Sequence, residues 1–154
     1  MKILSLTLKN FRGIKNLTVN FDGRDADIYG ANGTGKTTIA NAICWLLIDR
    51  PATEEADFTP KTAGTHGINH KASMEIELAD GRRITLAKDF YEKWTRKRGS
   101  AVEEYTGNIT DYYVDGVKSK KKEYTEILEN ACGTDLERVK MLMVLGYFAD
   151  AMKT

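Results

Sequence analysis

The chain has 154 residues, 42% hydrophobic and 29% charged, which fits one folded domain with a sizeable core and excludes a wholly disordered polymer. With 23 Lys and Arg against 22 Asp and Glu, the formal net charge is +1, so there is no global basic field, and any contact with nucleic acid must come from local patches. The opening MKILSLTLKN is interrupted by Ser5, Thr7 and Lys9, no later stretch reaches the roughly 18 uninterrupted apolar residues of a membrane span, and Cys44 and Cys132 lack metal-ligand spacing; a cytoplasmic protein with reduced thiols and no membrane partner is expected.

Leu4, Leu6 and Leu8 alternate with polar residues, as do Leu17, Val19 and Phe21, which predicts two half-buried strands joined by the short RGIK link as an antiparallel pair. A third strand, ADIY, feeds a glycine-rich loop. After the loop, Ile39, Ile43, Leu46 and Leu47, widened by Trp45 and Ile48, predict a helix buried on more than one side that stops at Asp49 or Arg50, ahead of Pro51. Residues 52–71 read as a long loop. Met74, Ile76 and Leu78 alternate up to Asp80-Gly81 and Ile84 and Leu86 resume beyond it, a strong hairpin signal; Asp115-Gly116 marks a second tight turn. Between them EKWTRKRGSAVEEYTG reads as two further strands around Gly99-Ser100. Tyr124, Ile127, Leu128 and Ala131 share a helical face ended by Gly133, and Thr134 with Glu137 forms a capping box for a last helix through Leu136, Val139 and Met143. Phe11, Phe21, Phe58, Phe90 and the Tyr112-Tyr113 pair read as core or strand residues.

The loop itself, Gly30-Ala31-Asn32-Gly33-Thr34-Gly35-Lys36-Thr37, fits G-x-x-x-x-G-K-[ST], the phosphate-binding signature. Glycines let backbone N–H groups turn inward as an anion nest, because a Cβ would block that geometry or the phosphate's approach. A helix starting at Lys36 adds unpaired N–H groups and the positive end of its dipole beneath the β-phosphate. Lys36 then bridges β- and γ-phosphate oxygens as the catalytic cation, the Thr37 hydroxyl is placed to ligate Mg²⁺, and Thr38 is a candidate α-phosphate contact. The competing reading is an ordinary strand-to-helix turn with an exposed lysine.

With LSLTLKNFRGIKNLTVNF and IYGANGTGKTTIANAICWLL both in view, residues 1–50 resemble the SMC/RecF/RecN group of ATPases, the ABC-type heads of DNA repair, recombination and chromosome maintenance. In that group an opening hairpin bearing NFR precedes a phosphate loop with Asn-Gly ahead of Gly-Lys-Ser/Thr. Beyond Arg50, EKWTRKRGSA and TDYYVDGVKSKKKEY are similar to small SMC-like ATPases of bacteria and their phages. The resemblance implies ATP and Mg²⁺ as cofactors, with Asn32, Gly33, Thr34, Gly35, Lys36, Thr37 and Thr38 as their contacts. It also implies that Arg12 approaches the phosphates, against the alternative of a solvated turn arginine. The implied fold is an α/β P-loop NTPase N-terminal lobe: a mixed sheet with an antiparallel β-subdomain and C-terminal helices. Its parts are the hairpin, phosphate loop and helix (1–50), the loop and β-subdomain (51–118) and the helices (119–154).

A complete head of this group also carries a glutamine loop, an ABC signature, a Walker B strand ending in Asp-Glu and a switch histidine. This sequence has no Gln and no hhhhDE run after the loop, and EIELAD reads as a hairpin strand. In the group the glutamine loop follows a segment like MLMVLGYF, so the expectation is the N-terminal, Walker A half of a longer ATPase that binds Mg-ATP with little or no turnover alone. The implied partners are the C-terminal half of the same head and, in the full protein, a homodimer of heads sandwiching ATP. Rival readings are a small-molecule or nucleoside kinase, for which lid arginines and a second substrate site are not recognisable, and a non-catalytic regulatory module.

Two basic patches compete with solvated surface. Lys93, Arg96, Lys97 and Arg98, with Trp94 among them near a hairpin tip, combine charge and an aromatic in a way that suits DNA. Lys118, Lys120, Lys121 and Lys122 precede a helix, an unfavourable end for positive charge. His66 and His70 have the spacing of a helical metal pair, but glycine-broken surroundings favour loop histidines.

Overall fold

A computed structural model describes residues 2–21, 33–48, 59–78 and 80–132. In chain order it contains β1 (Lys2–Phe11), β2 (Ile14–Asn20), α1 (Gly33–Ile48), β3 (His70–Glu77), β4 (Arg83–Arg96), β5 (Glu103–Val114), β6 (Val117–Ser119) and α2 (Lys121–Cys132). The strand expected at ADIY, the last helix through Leu136, Val139 and Met143, and Phe58 lie outside the described residues.

The six strands form one sheet in the order β2-β1-β3-β4-β5-β6, with every pair antiparallel. Because β1 pairs with β3 as well as with β2, the N-terminal hairpin and the central strands are a single sheet.

Alternation decides which face is covered. Leu6 and Leu8 on β1 lie opposite Met74 and Ala72 on β3, and Met74 lies opposite Leu86 on β4; all five side chains are fully buried. A one-residue slip of β1 would replace Leu6 and Leu8 by Thr7 and Lys9, so the register is strongly specified. Helix α1 packs on this face against β1, β3 and β4. Its residues from Ile39 to Leu47 are all buried, in agreement with the expected multi-sided apolar surface.

The turns carry the expected chemistry. Arg12-Gly13 closes β1 onto β2 with φ of 46° and 90°, and Asp115-Gly116 closes β5 onto β6 with φ of 50° and 79°; positive φ at both central residues is what a type I′ hairpin turn requires. Asp115 adds a side-chain acceptor for the Thr85 N–H at 2.8 Å. At the β3–β4 turn the Arg82 N–H and guanidinium hold the Asp80 carboxyl below the usual carboxylate range.

Two expectations change. EKWTRKRGSAVEEYTG does not form separate strands: it supplies the distal ends of β4 and β5, which run past a bulge between Lys93 and Trp94. His70 is not in the loop but opens β3, nearly fully buried, with its ring Nδ1–H donating to the Asn10 carbonyl. Cross-strand pairing won over the loop-like composition of AGTHGINHK.

Burial also sets the chemistry of Cys44, whose thiol is pushed up to about 12 by desolvation. At pH 8 that leaves a thiolate fraction of roughly 10⁻⁴. In a Cys132→Ser variant, Cys44 is therefore expected to resist a disulfide reagent until denaturant is added; rapid native-state labelling would contradict the packing around α1.

The far end of α1 is closed by other elements. Its last turn contains no basic residue, and the last four carbonyls of any helix lack intrahelical donors. Lys88, from β4, donates its Nζ to the Trp45 carbonyl, and Tyr124, from α2, donates its hydroxyl to the Leu46 carbonyl at 2.6 Å. A cation here also meets the negative end of the helix dipole.

Candidate functional site

Helix α1 begins at Gly33, three residues earlier than the start expected at Lys36. Glycine is a poor helix former, costing about 1 kcal/mol relative to Ala, so the sequence reads as loop through Gly35. Packing of Ile39–Leu47 carries the helix back through it. The consequence is chemical: the N–H groups of Gly33, Thr34 and Gly35 open the helix, where a backbone donor has no intrahelical carbonyl to bind. Thus the signature Gly-x-Gly-Lys and the orphan donors coincide at the positive end of a 16-residue helix dipole. Gly30, Ala31 and Asn32 lie outside the described residues, as do the side chains of Lys36 and Thr37; Thr38 is half-buried.

Arg12 sits at the other sequence-predicted contact point, on the β1–β2 turn. Its left-handed φ of 46° is one that a non-glycine residue adopts at a cost of order 1–2 kcal/mol. The turn is stitched to the segment before β3: Arg12 N–H donates to the Pro60 carbonyl at 3.1 Å, its guanidinium Nη1 to the Thr59 carbonyl at 3.3 Å, and Gly13 N–H to Thr62 Oγ1 at 3.0 Å. Thr62 in turn donates to the Asn10 carbonyl at 3.0 Å. Between them lies a cleft of about 570 Å³, lined by Arg12 and Gly13 on one side and Thr59, Lys61, Thr62 and Gly64 on the other. Neighbouring Phe11 packs its ring on Trp45 at 5.7 Å, and Trp45 lies nine residues, about 13 Å, along the helix from Lys36. The described contacts therefore set the start of this turn beside the C-terminal half of α1.

The histidine pair does not converge on a metal. His66 Nδ1 lies 3.1 Å from Glu92 Oε1, which Lys61 Nζ also approaches at 3.3 Å, whereas His70 is buried on Asn10. Burial alone would raise the Glu92 carboxyl, but the hydrogen bonds and charge of His66 and Lys61 outweigh it and hold the group low. Among the described residues no cluster of three His, Cys, Asp or Glu side chains could hold a metal ion.

The hairpin tip carrying Lys93, Arg96, Lys97 and Arg98 is shaped by the bulge. Gly107, at φ 135°, lets Thr106 stand as the extra residue of β5, and its Oγ1 donates to the Lys93 carbonyl at 3.1 Å. Past the bulge Trp94 and Tyr105 face each other with ring centroids 5.7 Å apart, 39% and 48% exposed. The sequence reading missed the acidic strand opposite: Glu103 and Glu104 pair in register with Arg96 and Thr95, and Lys97 binds Glu104 at 3.3 Å. Two carboxylates thus stand across from the basic tip, one of them paired with Lys97. Of the second patch, Lys118 is paired with Asp111 at 3.4 Å, and Lys120, Lys121 and Lys122 are exposed around the start of α2.

A family model described as an AAA domain matches residues 5–147. The DNA replication and repair protein RecF of Lactobacillus johnsonii is 35% identical over 102 residues, covering 63% of this chain and 26% of the relative. The chromosome partition protein Smc of Halothermothrix orenii is 28% identical over 134 residues, covering 83% of this chain and 11% of the relative. Among solved structures, that of the recombination mediator protein RecF-ATP of the RecFOR pathway aligns with a TM-score of 0.55 at 17% identity, covering 78% of this chain and 28% of that one. The sequence thus spans about a quarter of the RecF relative and a tenth of the Smc relative, and the structural likeness shows the fold. No helix among the described residues is long and apolar enough to cross a membrane.

Proposed function

The chain belongs to the AAA-domain family as an SMC/RecF-like ATPase N-terminal region, and from that premise we propose that it binds Mg-ATP at the N-terminus of α1 and serves an ATPase acting in DNA repair or chromosome maintenance. One observation carries the reading: the helix starts inside the glycine signature, so the unpaired N–H groups of Gly33, Thr34 and Gly35 can face phosphate oxygens. In this reading Asn32, Gly33, Thr34 and Gly35 shape the cradle, Lys36 bridges the β- and γ-phosphates, Thr37 ligates Mg²⁺, and Thr38 meets the α-phosphate. Arg12 is the second candidate contact; its strained backbone at a turn where Asn or Gly is the relaxed choice supports a use for its side chain. Hydrolysis needs a positioned water and an orienting or basic group besides charge stabilisation. Those would come from the C-terminal half of the head and from a second head. Calorimetric titration with Mg-ATP tests the reading: saturable binding supports it, and a flat titration of folded protein overturns it.

DNA contact through Lys93, Arg96, Lys97 and Arg98 belongs to the same proposal, and the exposed Trp94–Tyr105 pair favours it, since aromatic faces stack on bases while cations neutralise phosphates. Replacing Arg96 and Arg98 by Gln should lower the slope of log affinity against log salt by roughly 1.5–2. An unchanged slope would assign these side chains to Glu103, Glu104 and solvent instead.

A further inference from the structure

Among the described residues, Lys88 is the one lysine in the set of largest fully buried side chains. It occupies an inward position of β4, opposite Ala72 and Tyr112 on the neighbouring strands. Its ammonium lies 5.3 Å from the Trp45 ring, 5.2 Å from Tyr112 and 5.5 Å from Tyr124, within the range of cation–π attraction, while donating to the Trp45 carbonyl. Tyr124 stands against Tyr112 at 5.3 Å and donates to the next carbonyl of the same helix turn, that of Leu46. A buried charge is costly unless paired and hydrogen-bonded. Here it is held by three ring faces, a carbonyl and the negative end of a helix dipole.

We infer that Lys88 and Tyr124 are positioning residues that latch the C-terminal end of the phosphate-loop helix to β4 and α2, fixing where its N-terminus presents the nucleotide cradle. The inference rests on the nucleotide reading above for its functional consequence. Helix α1 has 16 residues, about 24 Å of rigid rod, with the phosphate signature at one end and the latch at the other. Side chains packed between Ile39 and Leu47 restrain the rod sideways. Sliding along its axis is opposed by directional bonds at its end, and those are the two that Lys88 and Tyr124 supply. The Tyr124 bond ties α2 to the helix, so a shift of α1 on nucleotide loading is transmitted to α2.

The test uses the full chain with Lys88→Met, which keeps the stem and removes the charge and donor, Tyr124→Phe, which removes a single hydroxyl, and Lys88→Arg as the conservative variant. Amide hydrogen exchange without nucleotide is read separately for α1, α2 and the strands, beside the Mg-ATP dissociation constant. The latch predicts exchange at least tenfold faster in α1 and α2 with β1 and β3 still protected, ATP affinity weakened about fivefold or more per folded molecule, and partial recovery in Lys88→Arg. Uniformly faster exchange across sheet and helices with unchanged ATP affinity would reduce both residues to general core stabilisers and overturn the inference. Should Lys88→Met not fold, Tyr124→Phe decides by the same criteria. If the wild-type chain binds no ATP, the nucleotide reading and with it the functional half of the inference fail, while the exchange pattern still decides whether the latch exists.

Discussion

Lys36→Ala is expected to weaken Mg-ATP binding by about 100-fold or more while leaving circular dichroism and thermal unfolding of the unliganded chain unchanged. The size follows from what the lysine would supply: charge-assisted hydrogen bonds to two phosphates, each worth about 1.5–3 kcal/mol, and a factor of ten per 1.4 kcal/mol. The specificity follows from position. Lys36 is the fourth residue of α1, and Ala is the better helix former, so the substitution keeps the helix that carries the cradle. A loss confined to binding places the phosphates on the α1 N-terminus. Equal affinity in the two proteins would move any nucleotide elsewhere, for instance to the cleft beside Arg12 and Lys61, and would leave the glycine signature as an ordinary strand-to-helix turn.

Much of this architecture is legible in the residues because local and tertiary signals agree. Leucine alternation in β1 and the two Asp-Gly turns state both the strands and their pairing, and the crowded apolar run of α1 announces a helix buried on several sides. Where the signals conflict, the reading fails in a definite direction. Gly33 and Gly35 argue for loop by propensity, but packing further along the helix extends it over them. AGTHGINHK looks irregular, yet His70 is captured by β3 through the Asn10 carbonyl. The tip at 96–98 reads as strongly basic until cross-strand pairing brings Glu103 and Glu104 to it.

Lys88 was accessible in principle, since it shares parity with Ile84, Leu86 and Phe90, and a charge on the inward side of a strand is a conflict that demands a partner. What no one-dimensional pattern contains is that the partner is the end of a helix 43 residues earlier in the chain. The family resemblance speaks for the phosphate loop and is silent on that long-range contact.

Leu46→Ala provides the complementary prediction, a large loss of stability with binding chemistry intact. Leu46 is fully buried in the last turn of α1, and its backbone carbonyl, which receives the Tyr124 hydroxyl, survives the substitution. Because Ala has the higher helix propensity, the cost reports packing alone, about 2–5 kcal/mol for a buried leucine whose cavity does not collapse. At roughly 2–4 °C per kcal/mol for a chain of this size, unfolding should shift down by about 5–20 °C. Linkage then ties the two substitutions together. A ligand that binds only the folded state at one hundred times its dissociation constant stabilises it by about 2.7 kcal/mol, so saturating Mg-ATP should offset half or more of the Leu46→Ala loss. The same nucleotide should add almost nothing to Lys36→Ala, whose unliganded stability is intact. Rescue of Lys36→Ala by ATP, or none for Leu46→Ala above its dissociation constant, would break the link between the packed helix and the phosphate cradle at its start. The opposite pattern makes α1 one object with two jobs: its middle holds the sheet, and its first turn holds the nucleotide.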